Sequence, residues 1–374
     1  MRVLMIVMSD VLRDARVRRE ALSLASAGYN VTIIGDRPPN KDAEPVAGAE
    51  VRFARGLRGT QGSRARTSWI LRWLLLPWHR RRNERAFQVR AKELAQSLPK
   101  ADVVHAHDFT ALPPAVAIAH SSNAPLVYDA HECWLGRKLE GRPVPLQRLR
   151  DRSREAKLGS EAAVVLTVSA GIAEWLHQNH GWPQIEVIHN SFPPRPYVAP
   201  LRPTGLLYAG RIDAKRDLAT VARAIDRLPQ MRITAIGPDD GSPGAWKERL
   251  DIRPAIPADE LDELYRAHGL GLISLEAGSI NHELALPNKL FQAIRAGVPV
   301  VAADLPELRR LITHHGIGTL YRPGSVSGFV RAVEEAVDRF DDLVENVANA
   351  RHTLSWARDE DRLLALYAEL AKGT

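Results

Sequence analysis

Cysteine is almost absent: Cys133 is the only one in 374 residues. This excludes an internal disulfide and a cysteine-rich zinc site, fits a reducing compartment, and leaves Cys133 as an expected small, buried apolar side chain. No stretch approaches the roughly 20 consecutive apolar residues that a membrane-crossing helix needs, so any membrane contact is expected to be peripheral. The opening MRVLMIVM lacks a basic leader, a long apolar run and a small-residue cleavage site. It reads as a first β-strand and predicts a cytoplasmic protein. A glycine-rich turn after that strand is missing too. Met8-Ser9-Asp10-Val11 offers nothing to a dinucleotide-dependent oxidoreductase. Nor is there a nucleic-acid recognition motif to go with the net charge of +7, because the arginines are scattered. The charge is better matched to an anionic substrate or an anionic membrane surface.

What is present is a soluble, globular composition, 45% hydrophobic and 25% charged, at a length that suits two domains. Short apolar runs at 3–8, 31–35, 103–105, 126–128, 163–168 and 186–189 alternate with helical patterns such as 15–27. This rhythm predicts a parallel sheet covered by helices on both faces. The proline-rich stretch SFPPRPYVAPLRP at 191–203 interrupts it and reads as a linker. The pattern restarts at 205–209, 231–236, 270–275, 298–302 and 318–321. The expected organisation is an N-terminal domain over 1–195 and a C-terminal domain over 196–354. A last helix, 355–374, is expected to pack back on the first. Two open α/β lobes would bind ligands at the carboxyl ends of their strands, in a cleft between them.

Two segments of the second half carry a specific signature: LLYAGRIDAKRDL at 206–218 and ALPNKLFQAIRAGVPVVAADLPEL at 285–308. With VLRDARVRREALSLASAGYNVTII, ADVVHAHD, LVYDAHE, VSAGIAEWL and VIHNSF in the first half, they resemble glycosyltransferase family 4 over nearly the whole chain. The resemblance implies the GT-B fold, an α/β architecture of two Rossmann-like doubly wound domains facing each other across a cleft. It also implies a retaining transfer from a nucleoside diphosphate sugar to an acceptor hydroxyl, with no cofactor and no metal.

Such a reaction builds charge on a leaving diphosphate, and fixed cations would stabilise it. Gly210 lets a backbone approach a ligand closely, and Arg211 follows directly. By resemblance, Arg211 with Arg216 or Lys215 should clamp the diphosphate, although Arg211 read alone could equally be a solvated strand end. Pro287 should open a helix whose free N–H groups suit phosphate, with Asn288 and Lys289 as added donors. The family's two glutamates, eight positions apart, are replaced here by Leu284 and Gln292. Gln292 is then the expected ribose contact, and Glu283 could supply a carboxylate one position early. His131, in DAHE, matches the family's active-site histidine. His107, Asp108, Asp14 and Arg16 stand at strand ends of the first lobe and are expected to meet the acceptor.

Residues 64–90, RARTSWILRWLLLPWHRRRNERAFQVR, interleave tryptophan and leucine with arginine. They read either as a face for anionic lipid, peripheral on the inner side of the cell membrane, or as a helix packed on the first lobe. With the lipid face, the acceptor would be a lipid-linked or cell-surface glycan precursor. A non-catalytic sugar-nucleotide-binding subunit and a nucleotide-sugar epimerase on the same fold are the rival readings.

Overall fold

The computed structural model describes residues 1–12, 14–36, 46–54, 69–137, 144–213, 216–241 and 244–372, with the backbone alone for 69–74. Lys215, residues 64–68 and most of the segments 37–48 and 56–67 lie outside the described residues. The chain divides into two compact units. One comprises Met1–Val168, Ile172–Ile188 and Glu360–Thr374, and the other Ser169–Gly171 and His189–Asp359.

In the N-terminal unit the strands are β1 (Arg2–Val7), β2 (Asn30–Asp36), β3 (Ala49–Ala54), β4 (Val103–His107), β5 (Leu126–Ala130), β6 (Val164–Thr167) and β7 (Ile185–Val187). They form one sheet in the order β3-β2-β1-β4-β5-β6-β7, every pair parallel. Strands β4 and β5 are buried along their whole length, as continuous apolar runs covered on both faces require. The helix Ala15–Ser26 returns the chain from β1 to β2. Asp14 caps it, accepting from Val17 N.

In the C-terminal unit the strands are β8 (Gly205–Ala209), β9 (Arg232–Ile236), β10 (Asp251–Arg253), β11 (Gly269–Ile273), β12 (Val300–Ala303) and β13 (Gly318–Tyr321). Their order is β10-β9-β8-β11-β12-β13, again wholly parallel. Each sheet reverses its strand order once, between β1 and β4 in the first and between β8 and β11 in the second. At such a reversal the two flanking crossovers leave toward opposite faces and open a crevice at the strands' carboxyl ends.

Two glycines build that edge in the C-terminal unit. Gly210 and Gly237 follow β8 and β9 with φ of 148° and 152°. A Cβ on Gly237 would lie 2.0 Å from the Gly210 carbonyl oxygen, which has no room to retreat. Gly237→Ala is therefore expected to cost about 1–3 kcal/mol from backbone strain and to push Gly210 out of place. Chemical denaturation checks this; an unchanged midpoint would refute it.

Candidate functional site

The C-terminal unit gathers its cations at the β8–β11 reversal. Lys289, in the first turn of the helix Asn288–Ala296, is 7% exposed. Its Nζ lies 3.7 Å from the centre of the Tyr208 ring. A Cβ on Gly210 would sit 3.6 Å from that Nζ. Among the described residues the amine has no hydrogen-bond partner. Burial, reinforced by the nearby Arg216 and opposed by Asp213, holds it well below the ordinary lysine range. A buried amine with no hydrogen-bond partner is costly, and an arriving anion would satisfy it and favour its protonated form. Tyr208 is fixed for this contact by donating its hydroxyl to Arg211 O at 2.7 Å.

Arg216 is half-buried, its Nε 3.6 Å from Asp213 Oδ1, and its carbonyl accepts from the Ser274 hydroxyl just beyond β11. Arg211 and Asn288 are exposed. The helix begins after Pro287 without a side-chain cap, so its first N–H groups are left open by the side chains of the described residues. Gly210, Lys289 and Arg216 thus come together; Lys215 lies outside the described residues. Gln292 turns elsewhere, donating its amide to Ala258 O at 2.9 Å beside Arg295. Glu283 accepts from Gly278 N at 3.2 Å within its own loop.

In the N-terminal unit the carboxyl ends of β4 and β5 hold a dense ionisable cluster. Asp129 is fully buried, and Arg16 grips both its oxygens at 2.8 and 2.9 Å. The same guanidinium donates to Ile188 O at 2.7 Å. His131 Nε2 lies 2.8 Å from Asp129 Oδ2, its Nδ1 3.7 Å from Asp108 Oδ2, and its backbone N–H donates to Asp108 Oδ1. Burial alone would depress His131, but Asp129 and Asp108 together raise it to about 10, so it is an imidazolium at neutral pH. Asp108 adopts a left-handed φ of 63° to face it, a conformation aspartate tolerates better than most residues.

Two expectations are corrected. Arg16 is not an acceptor contact: it is 3% exposed and its guanidinium is spent on Asp129, Glu20 and Ile188. His107 is wholly buried, stacked on His105 with ring centres 4.1 Å apart, so it supports His131 from beneath. Asp14 is bound to Ser9 and Val17, as a helix cap is.

The sequence places Glu20 beside Asp14 and Arg16 after the first strand without giving it a role, and Asp129 and His105 were missed. The available signal was Glu20 four residues after Arg16 on the inward helix face, and an aspartate ending a buried strand. Glu20, His105, His107 and Asp129 present ligand-type atoms within 4.8 Å of one another. They fit a metal ion poorly. Both Asp129 oxygens are held by Arg16, the His131 cation is adjacent, and Glu20 is better satisfied by a proton. Burial, relieved in part by Arg16, raises that carboxyl to about 8.

The family description Glycosyltransferase Family 4 matches residues 15–195, and Glycosyl transferases group 1 matches residues 203–339. The chain belongs to glycosyltransferase family 4. The glycosyltransferase is 25% identical over 359 residues to a glycogen synthase of Mycobacterium tuberculosis, covering 86% of this chain and 81% of that protein. Its fold matches a sucrose-phosphate synthase of Thermosynechococcus elongatus with a TM-score of 0.75 at 16% identity, across 100% of both chains. Anabaena HepE in complex with UDP follows at 0.71 and 14%, also across 100% of both. The fold is GT-B.

Two outcomes follow from this geometry. Lys289→Met removes a buried, unsatisfied amine and is expected to leave the melting temperature unchanged or higher. The same change should weaken nucleoside diphosphate binding roughly 10- to 150-fold, the worth of one charge-assisted contact of about 1.5–3 kcal/mol. Calorimetry and thermal melts check both, and undiminished binding would remove Lys289 from the site. Glu20 and His131 both titrate higher in the folded state than their ordinary 4.5 and 6.5. Their stabilisation is complete at acid pH and is lost as pH rises through about 8 and about 10 respectively. Lys289, His105 and His107, held low, act in the opposite direction, so Glu20 is read from a difference: Glu20→Gln should gain stability relative to the unaltered chain as pH rises from about 5 to about 9, and a constant difference in thermal melts would refute the Glu20 assignment.

Proposed function

We propose that the glycosyltransferase moves a sugar from a UDP-sugar to an acceptor hydroxyl with retention of the anomeric configuration. The observation that carries this is the buried Lys289 amine, unpartnered among the described residues and set against Gly210 and the open start of a helix. An anion with several oxygens is what such a place lacks, and a diphosphate supplies it. UDP is preferred because HepE, similar in fold, was crystallised with UDP and with UDP-glucose. Arg211 and Arg216 then join Lys289 on the diphosphate.

In the reaction the bond from the anomeric carbon to the diphosphate oxygen breaks and a bond from the acceptor oxygen to that carbon forms. The acceptor proton passes to a diphosphate oxygen. His131 suits this scheme as a donor, because an imidazolium cannot serve as the base. It would stabilise the reacting sugar by hydrogen bonding, held in place by Asp129 and Asp108. The acceptor would bind on the N-terminal unit, near Asp108 and Asp14.

Peripheral contact with anionic lipid belongs to this reading too. In the helix Trp69–Gln96, Leu75 and Trp78 are exposed and Arg82 lies over the Trp78 ring at 5.4 Å. No helix among the described residues is long and apolar enough to cross a membrane.

Calorimetry with UDP- and GDP-sugars, followed by turnover measurements, tests the assignment. A UDP-sugar should bind, and Arg211→Ala should lower kcat by about tenfold or more, as the loss of one transition-state charge contact does. Full turnover in both Arg211→Ala and Lys289→Ala would overturn the clamp.

A further inference from the structure

The N-terminal unit contains a basic cavity, of about 580 Å³, that the donor chemistry does not use. It is lined by Arg80, Arg81, Arg85, Arg137, Arg150 and Arg154, against the carboxylates Glu84, Asp108 and Asp151. The arginines are not scattered. On the helix Trp69–Gln96 the lining residues are Pro77, Arg80, Arg81, Asn83, Glu84, Arg85 and Gln88, linked by the three- and four-residue steps of a helix face. On the helix Gln147–Gly159 they are Gln147, Arg150, Asp151 and Arg154, the same steps again.

Two amphipathic helices ordinarily turn apolar faces inward. These two turn charged faces toward one cavity, where six arginines outnumber the carboxylates Glu84, Asp108 and Asp151 and leave a positive excess that favours an anion. The rest of the wall is suited to a sugar. Phe109 and Trp134 stand with ring centres 5.2 Å apart, Arg137 lies 4.0 Å from the centre of the Trp134 ring, and carboxylates can accept from hydroxyls. The cavity reaches Asp108, the residue that holds the His131 backbone.

We propose that this cavity binds the phosphate or diphosphate of the acceptor, so that the glycosyltransferase acts on a phosphorylated glycan acceptor. The proposal rests on the transfer reading above for the word acceptor, and on the arginine faces alone for the anion. Two sources share this chemistry: a lipid-linked diphosphate and a soluble sugar phosphate. Exposed apolar side chains adjoin lining residues in sequence, Trp78 beside Pro77 and Leu149 beside Arg150, and give the lipid source its place in the test.

Inorganic pyrophosphate is titrated into the full chain by calorimetry with UDP at saturation, so that the donor clamp is filled. It should bind saturably and more weakly as salt rises. Arg150→Ser/Arg154→Ser, and separately Arg81→Gln/Arg85→Gln on the opposite helix, should each weaken it by about tenfold or more. Arg85, Arg150 and Arg154 are exposed and Arg81 is half-buried, so the thermal melts of both pairs without ligand should change little. Binding undiminished in both pairs, or lost only with Arg211→Ala, would overturn the proposal. UDP affinity in the same variants should be unchanged. If UDP fails to bind even the unaltered chain, the transfer reading fails separately from the anion site.

Farnesyl diphosphate and glucose 6-phosphate complete the test. Tighter binding of either, relative to pyrophosphate, supports the acceptor assignment and names the source. If neither binds more tightly, the acceptor assignment is overturned.

Discussion

In both units every strand runs the same way, so every return of the chain must cross a face of the sheet, and all strands end at one edge. Everything chemical in this protein follows from that constraint. Gly210, Arg211 and Arg216 follow β8, Ser274 follows β11, and Asp108 and His131 follow β4 and β5. A reversal of strand order opens each edge at one point, and the ionisable residues stand there. The crossover helices also bury both faces of the sheet, which makes that edge a place where charge is held away from bulk water.

The two units handle buried charge in opposite ways. The N-terminal cluster is self-sufficient: Arg16 neutralises Asp129, Asp129 and Asp108 keep His131 protonated, and Glu20 carries its own proton. Breaking such a network by removing one partner leaves an uncompensated charge, which costs more than the pair contributes. The C-terminal cluster is incomplete, because Lys289 has a ring and a glycine beside it but no hydrogen-bond partner among the described residues. The first arrangement holds a histidine in one charge state. The second stores unfavourable energy that an anion relieves.

Most of the fold was legible. Eleven of the thirteen strands lie within or across apolar runs visible in the sequence, because a strand buried on both faces must be apolar throughout. The two that were not, Ala49–Ala54 and Asp251–Arg253, end their sheets at the edge. Their partly exposed, charged residues carry no continuous run. That a helix opens after Pro287 with Asn288 and Lys289 in its first turn could be read from a polar pair ahead of an apolar run. Arg16 and His107 could not be placed, since a charged residue near a strand end reads the same whether it faces a ligand or the interior.

The sequence by itself determined the strand and helix rhythm, the glycines where backbones meet, and the family to which the chain belongs. These depend on local periodicity and on steric rules that act within a few residues. Only the tertiary structure decided which charges are spent. Arg16 meets Asp129 across 113 positions, and Lys289 meets Tyr208 from another crossover. Burial and partnership come from what distant segments place nearby, and they set whether a cation is a structural tie or a group that still seeks an anion.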